Sequence, residues 1–254
     1  MESIDWLSGR RGPMFPPRRL RVRVGESDSF NTVGEEFLKY FKELGGLKPN
    51  ESVLDVGCGI GRMAVALTRY LDKGSYEGFD ILSEGIGWAT RNITPKFPNF
   101  HFQHVDIYNK SYNPNGNFEA REFSFPYKND YFDFVLLTSV FTHMLPKDLE
   151  NYISEISRVM KTGGRCLITF FLLNSESRNL IEAKSSHLDF QYELEGCRIV
   201  DESEPERAIA YDEKRIRMLY KKHRLTIVEP IHYGLWSGKK DHLSFQDIMI
   251  AEKK

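Results

Sequence analysis

The stretch Val53-Leu54-Asp55-Val56-Gly57-Cys58-Gly59-Ile60-Gly61-Arg62 decides the fold. A short apolar run ends in glycines at alternate positions, and Met63, Ala64, Ala66, Leu67, Tyr70 and Leu71 then follow at helical period. Glycines there allow the positive φ of a tight strand-to-helix turn and remove Cβ atoms where a ligand approaches the backbone. Asp55 is a carboxylate in an otherwise apolar strand end, which is costly without partners and suits a cationic or amine-bearing ligand better than a pyrophosphate. The dinucleotide fingerprint G-x-G-x-x-G/A fails when counted from Gly57, where it ends on Arg62. Counted from Gly59 it ends on Ala64 but starts two residues late, so an NAD-dependent oxidoreductase stays open as an alternative.

The same alternation continues outward. Tyr76–Asp80 and Phe100–Val105 read as strands around a helix at about Ser83 to Thr94, for which Ser83 is an available N-cap. Phe132–Leu137 reads as a buried strand. Leu149, Ile153, Ile156, Val159 and Met160 mark a helix stopping at Gly163-Gly164, and Cys166–Leu172 is a further apolar strand. Strands alternating with helices predict βαβ units and a parallel sheet covered on both faces. Ligands in such sheets sit beyond the carboxyl ends of the strands, so the residues after each strand carry the search for chemistry. Asp80, at the tip of the second strand, has a carboxylate able to accept from ribose hydroxyls, a feature common to NAD and S-adenosylmethionine. Asp106 follows the third strand, where an acid can accept from an adenine amine while Ile107 offers its N–H and an apolar surface.

These residues carry a resemblance. Leu54-Asp55-Val56-Gly57-Cys58-Gly59-Ile60-Gly61, then Asp80, Asp106, Phe132-Asp133-Phe134-Val135 and Met160-Lys161-Thr162-Gly163-Gly164 make the chain resemble the class I S-adenosylmethionine-dependent methyltransferases, over roughly Leu47 to Leu173 and more loosely beyond. The resemblance implies an α/β, Rossmann-like sheet of seven mostly parallel strands with an antiparallel last strand and helices on both faces. Residues 224–228 and 245–250 would supply the final pair. It implies S-adenosylmethionine as cofactor and S-adenosylhomocysteine as product. The Gly57 to Gly61 loop, with Cys58 and Gly59, would contact the methionine part, Asp80 the ribose, and Asp106 with Ile107 the adenine, and Asp55, Arg62, Ile81 and Thr138 would also bind the cofactor. The acceptor would face Thr138-Ser139-Val140-Phe141-Thr142-His143-Met144. No Asn-Pro-Pro-Tyr, Asp-Pro-Pro-Tyr or Pro-Cys stands in that segment, which argues against methylation of DNA amines and against a covalent pyrimidine mechanism. His143 is its one residue suited to moving protons near neutral pH. A sulfonium is already activated, so an aligned acceptor is the main requirement and a base is needed only for a protonated one.

Composition agrees. The 254 residues carry 35 Lys+Arg against 36 Asp+Glu, 41% hydrophobic and 13% aromatic residues, which predicts a packed core and argues against nucleic-acid binding by bulk charge. Cys58, Cys166 and Cys197 form neither a disulfide framework nor CxxC spacing, so no metal is expected, and Cys58 reads as a small filler within the turn. No signal core and no apolar run of the ~20 residues needed for a membrane span is present, so a cytoplasmic protein without membrane contact is expected.

Residues 1–48 are expected to form a basic, proline-bearing arm and a helix through Phe37, Phe41 and Leu44. The arm is read as extended and, with Trp6, Met14 and Phe15, as a possible lid. A methyltransferase domain would then occupy 49–254. Within it residues 174–210 read as an insert whose Phe190–Leu194 and Arg198–Val200 form a hairpin over the site. Asp201–Glu206 is read as a solvated acidic loop and Tyr211–Lys214 as an N-capped helix start. The expected function is methyl transfer to an oxygen or nitrogen of a small-molecule acceptor. The other alternative is a non-catalytic adenosyl-binding protein, and the oligomeric state is left open.

Overall fold

The structure, a computed structural model, describes residues 14–24 and 29–254, with Val24 described by its backbone alone. The helices are α1 (Arg18–Arg21), α2 (Phe30–Glu43), α3 (Arg62–Leu67), α4 (Ser83–Asn92), α5 (Pro146–Val159), α6 (Ser175–Glu182) and α7 (Glu213–Lys222). The strands are β1 (Ser52–Val56), β2 (Ser75–Asp80), β3 (Phe100–His104), β4 (Phe132–Leu137), β5 (Met160–Phe170), β6 (Leu172–Leu173), β7 (Tyr192–Leu194), β8 (Cys197–Ile199), β9 (Ile209–Asp212), β10 (Leu225–His232) and β11 (Asp247–Lys253). A seven-stranded sheet has the order β10-β11-β5-β4-β1-β2-β3, and a four-stranded sheet the order β6-β9-β8-β7. The last strand, β11, runs antiparallel to both β5 and β10, whereas β1–β2, β2–β3 and β4–β5 pair in parallel, as the resemblance implied.

Two compact units divide at Val105/Asp106. In the first, β1 is buried along nearly all its length and β2 over its second half, while β3 exposes much of its length as a sheet edge. Helix α2 buries Phe30, Phe37, Tyr40 and Phe41, and the chain turns at Gly46 with φ 63° after it. The basic arm departs from the extended expectation, because Arg18–Arg21 form one helical turn directly after Pro17. A proline preceding the first turn costs no hydrogen bond there. Phe15 meets Phe30 edge-on at 5.9 Å and Arg21 lies 4.0 Å over the Phe15 ring. Trp6 and residues 9–13, assigned above to the arm, lie outside the described residues.

In the second unit, α5 ends at Val159, four residues before Gly163, because the backbone already turns extended at Met160 and pairs with β4. The expected hairpin forms: β7 and β8 pair antiparallel around Glu195-Gly196, with Gly196 at φ 82°. Phe171, Leu173, Ile181, Phe190, Ala208, Ala210 and Trp236 form a satellite core, with Leu188 and Val200 packed against it. Asp212 caps α7 by accepting from the Lys214 and Arg215 amides, as its sequence suggested.

Candidate active site

The glycine turn of the first unit is built by the end of β2. The amides of Gly57 and Cys58 donate to the Phe79 carbonyl at 2.9 and 3.1 Å, and Gly59 N–H donates to Asp80 Oδ2 at 2.7 Å. Gly57, Gly59 and Gly61 have φ of 77°, 57° and 78°, a left-handed backbone that side-chain-bearing residues rarely take. Helix α4 then packs against the turn so closely that a Cβ on Gly85 would stand 2.7 Å from the Gly59 carbonyl oxygen. Asp80 Oδ1 accepts from the Leu82 amide at 2.7 Å. Leu82, not Ser83, therefore precedes the first helical residue of α4, and the backbone amide there is met by Asp80. With the Gly59, Leu82 and Ile81 backbone amides as donors, the Asp80 carboxylate keeps acceptor capacity for a further hydroxyl donor. Burial raises the Asp80 carboxyl above its usual range, against the backbone hydrogen bonds that lower it.

Asp55 is 1% exposed. Its Oδ2 accepts the Tyr76 hydroxyl at 2.6 Å, while its Oδ1 is buried without a hydrogen-bond partner. Tyr76 reaches it because Gly78 lies two residues on, on the same face of β2, and is the register partner of Asp55. A Cβ on Gly78 would stand 2.9 Å from the Tyr76 ring, so the missing side chain is what lets the ring lie back towards Asp55. Burial pushes the Asp55 carboxyl up to about 7, the Tyr76 bond opposes this, and the nearby Asp80 adds to it. An orphaned, buried carboxylate oxygen beside a left-handed glycine turn fits a ligand that brings an ammonium group. Cys58 is buried and its thiol is pushed well up by burial, so it acts as filler and not as a nucleophile. Arg62 opens α3, its guanidinium lowered by burial, and half-buried Ile81 sets its carbonyl 3.3 Å from His104 Nε2.

In the second unit, Asp106 opens a compact loop. Its backbone oxygen accepts from the Asn117 and Phe118 amides at 3.1 Å each, and its carboxylate accepts from Asn113 at 3.3 Å and Asn117 at 2.5 Å. Ile107 is buried and bridges Phe118. Tyr108, Tyr112 and Phe118 of this loop are exposed. Thr138 is half-buried at the exit of β4. His143 ends the 3-10 turn Phe141–His143, its Nδ1 2.9 Å from the Glu206 carbonyl and its ring edge-on to Tyr112 at 5.8 Å. A carbonyl only accepts, so Nδ1 carries the proton, and burial lowers the imidazole's affinity for a second one. The neutral ring then carries its lone pair on Nε2, with the Arg207 backbone as well as that of Glu206 beside the imidazole.

The acidic run is not simply solvated. Glu206 Oε2 accepts from the Lys110 amide, Glu204 accepts from the Ser111 hydroxyl at 2.6 Å, and Lys110 Nζ donates to the Ser203 carbonyl at 2.9 Å. Burial raises the Glu206 carboxyl, with Asp148 and Glu119 adding repulsion. A run of charges in sequence shows nothing of the backbone amides it meets, so this role was hidden. The contributions of Tyr76 and of the Glu206 carbonyl were missed for the same reason. For Tyr76 a signal existed, since a Tyr-x-Gly step in a buried strand marks a ring folded over a bare backbone.

The methyltransferase-domain family profile matches residues 30–209, more than half of the chain. The chain belongs to the class I S-adenosylmethionine-dependent methyltransferases. Among its relatives, a fatty-acid O-methyltransferase of Mycolicibacterium smegmatis is 32% identical over 61% of this chain and 48% of that protein. A phthiotriol/phenolphthiotriol dimycocerosates methyltransferase of Mycobacterium ulcerans is 31% identical over 46% of this chain and 36% of its own. The chain thus spans less than half the length of these curated relatives. A crystal structure of a Pyrococcus horikoshii OT3 protein shares the fold with a TM-score of 0.61 at 18% identity, covering 98% of this chain and 99% of that one. The family's cofactor is S-adenosylmethionine, and the orphaned Asp55 oxygen and the clamped glycine turn fit its amino-acid end. Among the described residues no helix is long and apolar enough to cross a membrane.

Proposed function

We propose that this chain transfers a methyl group to an oxygen, or else a nitrogen, of a small apolar acceptor. When bound, S-adenosylmethionine supplies an electrophilic methyl group on a sulfonium. The observation that carries the reading is Asp55, whose buried, unpartnered Oδ1 stands beside a glycine turn clamped by Asp80. Asp55 receives the ammonium of the methionine portion, and the turn from Gly57 to Gly61, with Cys58 and Arg62, lets backbone approach it. Asp80, with Ile81, accepts from the ribose. Asp106 and Ile107 meet the adenine, and Thr138 completes the contact.

Acceptor oxygen is favoured by the O-methyltransferase activity for which the M. smegmatis relative is named, and an apolar body by the exposed rings of Tyr108, Tyr112 and Phe118 in one loop. His143 serves as base: its Nε2 takes the proton of an acceptor hydroxyl while the Glu206 carbonyl holds Nδ1–H and steadies the ring. The hairpin insert covers the acceptor.

Calorimetric titration with S-adenosylhomocysteine tests the reading. Wild type is expected to bind, and Asp80→Ala to bind at least about tenfold more weakly, since it loses the ribose acceptor and unclamps Gly59. Equal affinity of the two, or binding of a nicotinamide dinucleotide in place of the adenosyl ligand, overturns it. Retained binding with no acceptor gaining one methyl mass would leave the non-catalytic alternative.

A further inference from the structure

Beyond β4 the chain enters a turn held by a closed ring of hydrogen bonds. Ser139 stands there with φ 59°, a conformation disfavoured for a residue bearing a Cβ. Its amide donates to Thr169 Oγ1 at 2.8 Å, the Thr169 hydroxyl donates to Gln246 Oε1 at 2.6 Å, and Gln246 Nε2 donates back to Ser139 Oγ at 2.9 Å. The backbone amide sets the direction of the whole ring. It can only donate, so Thr169 must accept there and spend its one hydrogen on Gln246. That turns the glutamine carbonyl towards Thr169 and its NH2 towards Ser139, an orientation fixed by partners. Thr169 is fully buried in β5, and Gln246 is half-buried immediately before β11. The three residues thus come from three separate pieces of the second unit. Local turn chemistry offers no account of a left-handed serine here, since no glycine or asparagine occupies the position.

The turn lies between two groups with assigned work. Thr138 precedes it, and the Phe141–His143 turn follows. Reverting Ser139 to right-handed backbone would redirect the chain between them. We infer that Thr169 and Gln246 are positioning residues: by holding Ser139 left-handed they set Thr138 and His143 in the geometry that receives cofactor and acceptor. The inference rests on the methyl-transfer reading above. Neither residue needs to touch a ligand.

Four proteins test it: wild type, Gln246→Leu, Ser139→Gly and the double variant. S-adenosylhomocysteine affinity is measured by calorimetry and folding by thermal midpoint. Gln246→Leu is expected to weaken binding about tenfold, a factor visible against a nearly unchanged midpoint. In the double variant affinity should return to that of Ser139→Gly alone, because glycine takes positive φ without help. A residue that merely packs would not be rescued in this way. If Gln246→Leu unfolds, Thr169→Val breaks the same ring with an isosteric side chain, and the same rescue is expected. The inference is overturned if wild type binds and Gln246→Leu binds equally, or if the double variant stays as weak as Gln246→Leu. Wild type failing to bind S-adenosylhomocysteine at all would instead overturn the cofactor reading beneath it.

Discussion

Asp55, in β1, and Asp247, at the start of β11, are each 1% exposed, and burial pushes both carboxyls up to about 7. Their hydrogen bonds differ. Both Asp247 oxygens are served: Oδ1 accepts the Gly234 amide at 2.6 Å, and Oδ2 accepts both the Leu172 amide at 2.6 Å and the Trp236 indole N–H at 2.9 Å. Asp55 has one donor, Tyr76, and one empty oxygen. A buried carboxylate with a donor on each oxygen is a structural fastening, whereas one with an oxygen left unserved is a site that a ligand completes. The contrast separates a binding residue from a scaffold residue of the same type, burial and acidity.

The sharpest way to break the contrast is at the Asp247 end. Asp247→Ala strands two buried amides and an indole N–H, and Trp236 belongs to the satellite core. The expected loss is about 3–5 kcal/mol of stability, because buried donors left unpaired cost more than the bonds were worth. Denaturant unfolding measures it. A loss below about 1 kcal/mol would show that Asp247 is not the fastening its partners suggest.

At the half-served end the expected effect moves from folding to binding. Asp55→Asn keeps an oxygen for Tyr76 and removes the charge, so S-adenosylhomocysteine affinity should fall by about ten- to a hundredfold, some 1.4–2.8 kcal/mol. Stability should hardly fall, and the pH profile gives the sign. Burial raises the folded Asp55 above its unfolded value, so its contribution is complete below about pH 4 and is lost as pH rises through about 7. Asparagine has no such loss, so the variant gains on wild type above pH 7. Parallel unfolding curves at pH 5 and pH 8 check this, and a variant destabilised equally at both would place Asp55 with Asp247.

How far the sequence carries the argument is visible in this pair. Asp55 stands out as an acid in an apolar strand, and Asp247, between Gln246 and Ile248-Met249-Ile250, satisfies the same rule. Periodicity finds both strands, since apolar runs follow from burial on two faces. It cannot tell which acid is loaded, because the donors come from Leu172, Gly234 and Trp236, set by loops whose closure no local pattern encodes. The glycine turn was legible because its backbone demands glycine at fixed positions. The helical turn after Pro17 and the amides met by Glu206 were not, for they depend on long-range packing. Tyr76 lies between these cases: its strand was plain, but its hydroxyl's target follows from register with Asp55, which only the sheet supplies.

Tyr76 also gives the finest test of the contrast. Tyr76→Phe keeps the buried ring, stacked on Phe100 at 5.0 Å, and removes the one donor that holds the Asp55 carboxyl down. With that donor gone, Asp55 should titrate above about 7 and more of it should be protonated at neutral pH. An ammonium ligand binds the ionised form, so affinity for S-adenosylhomocysteine should drop several-fold at pH 7 and recover towards wild type by about pH 8.5. Binding at pH 7 should also release more protons from the variant than from wild type, read from the dependence of binding heat on buffer ionisation enthalpy. A loss of affinity equal at both pH values would mean that the hydroxyl shapes the site sterically. A protein indifferent to the change would show that Asp55 needs no partner to stay ionised, and the difference between the two aspartates would then rest on the empty oxygen alone.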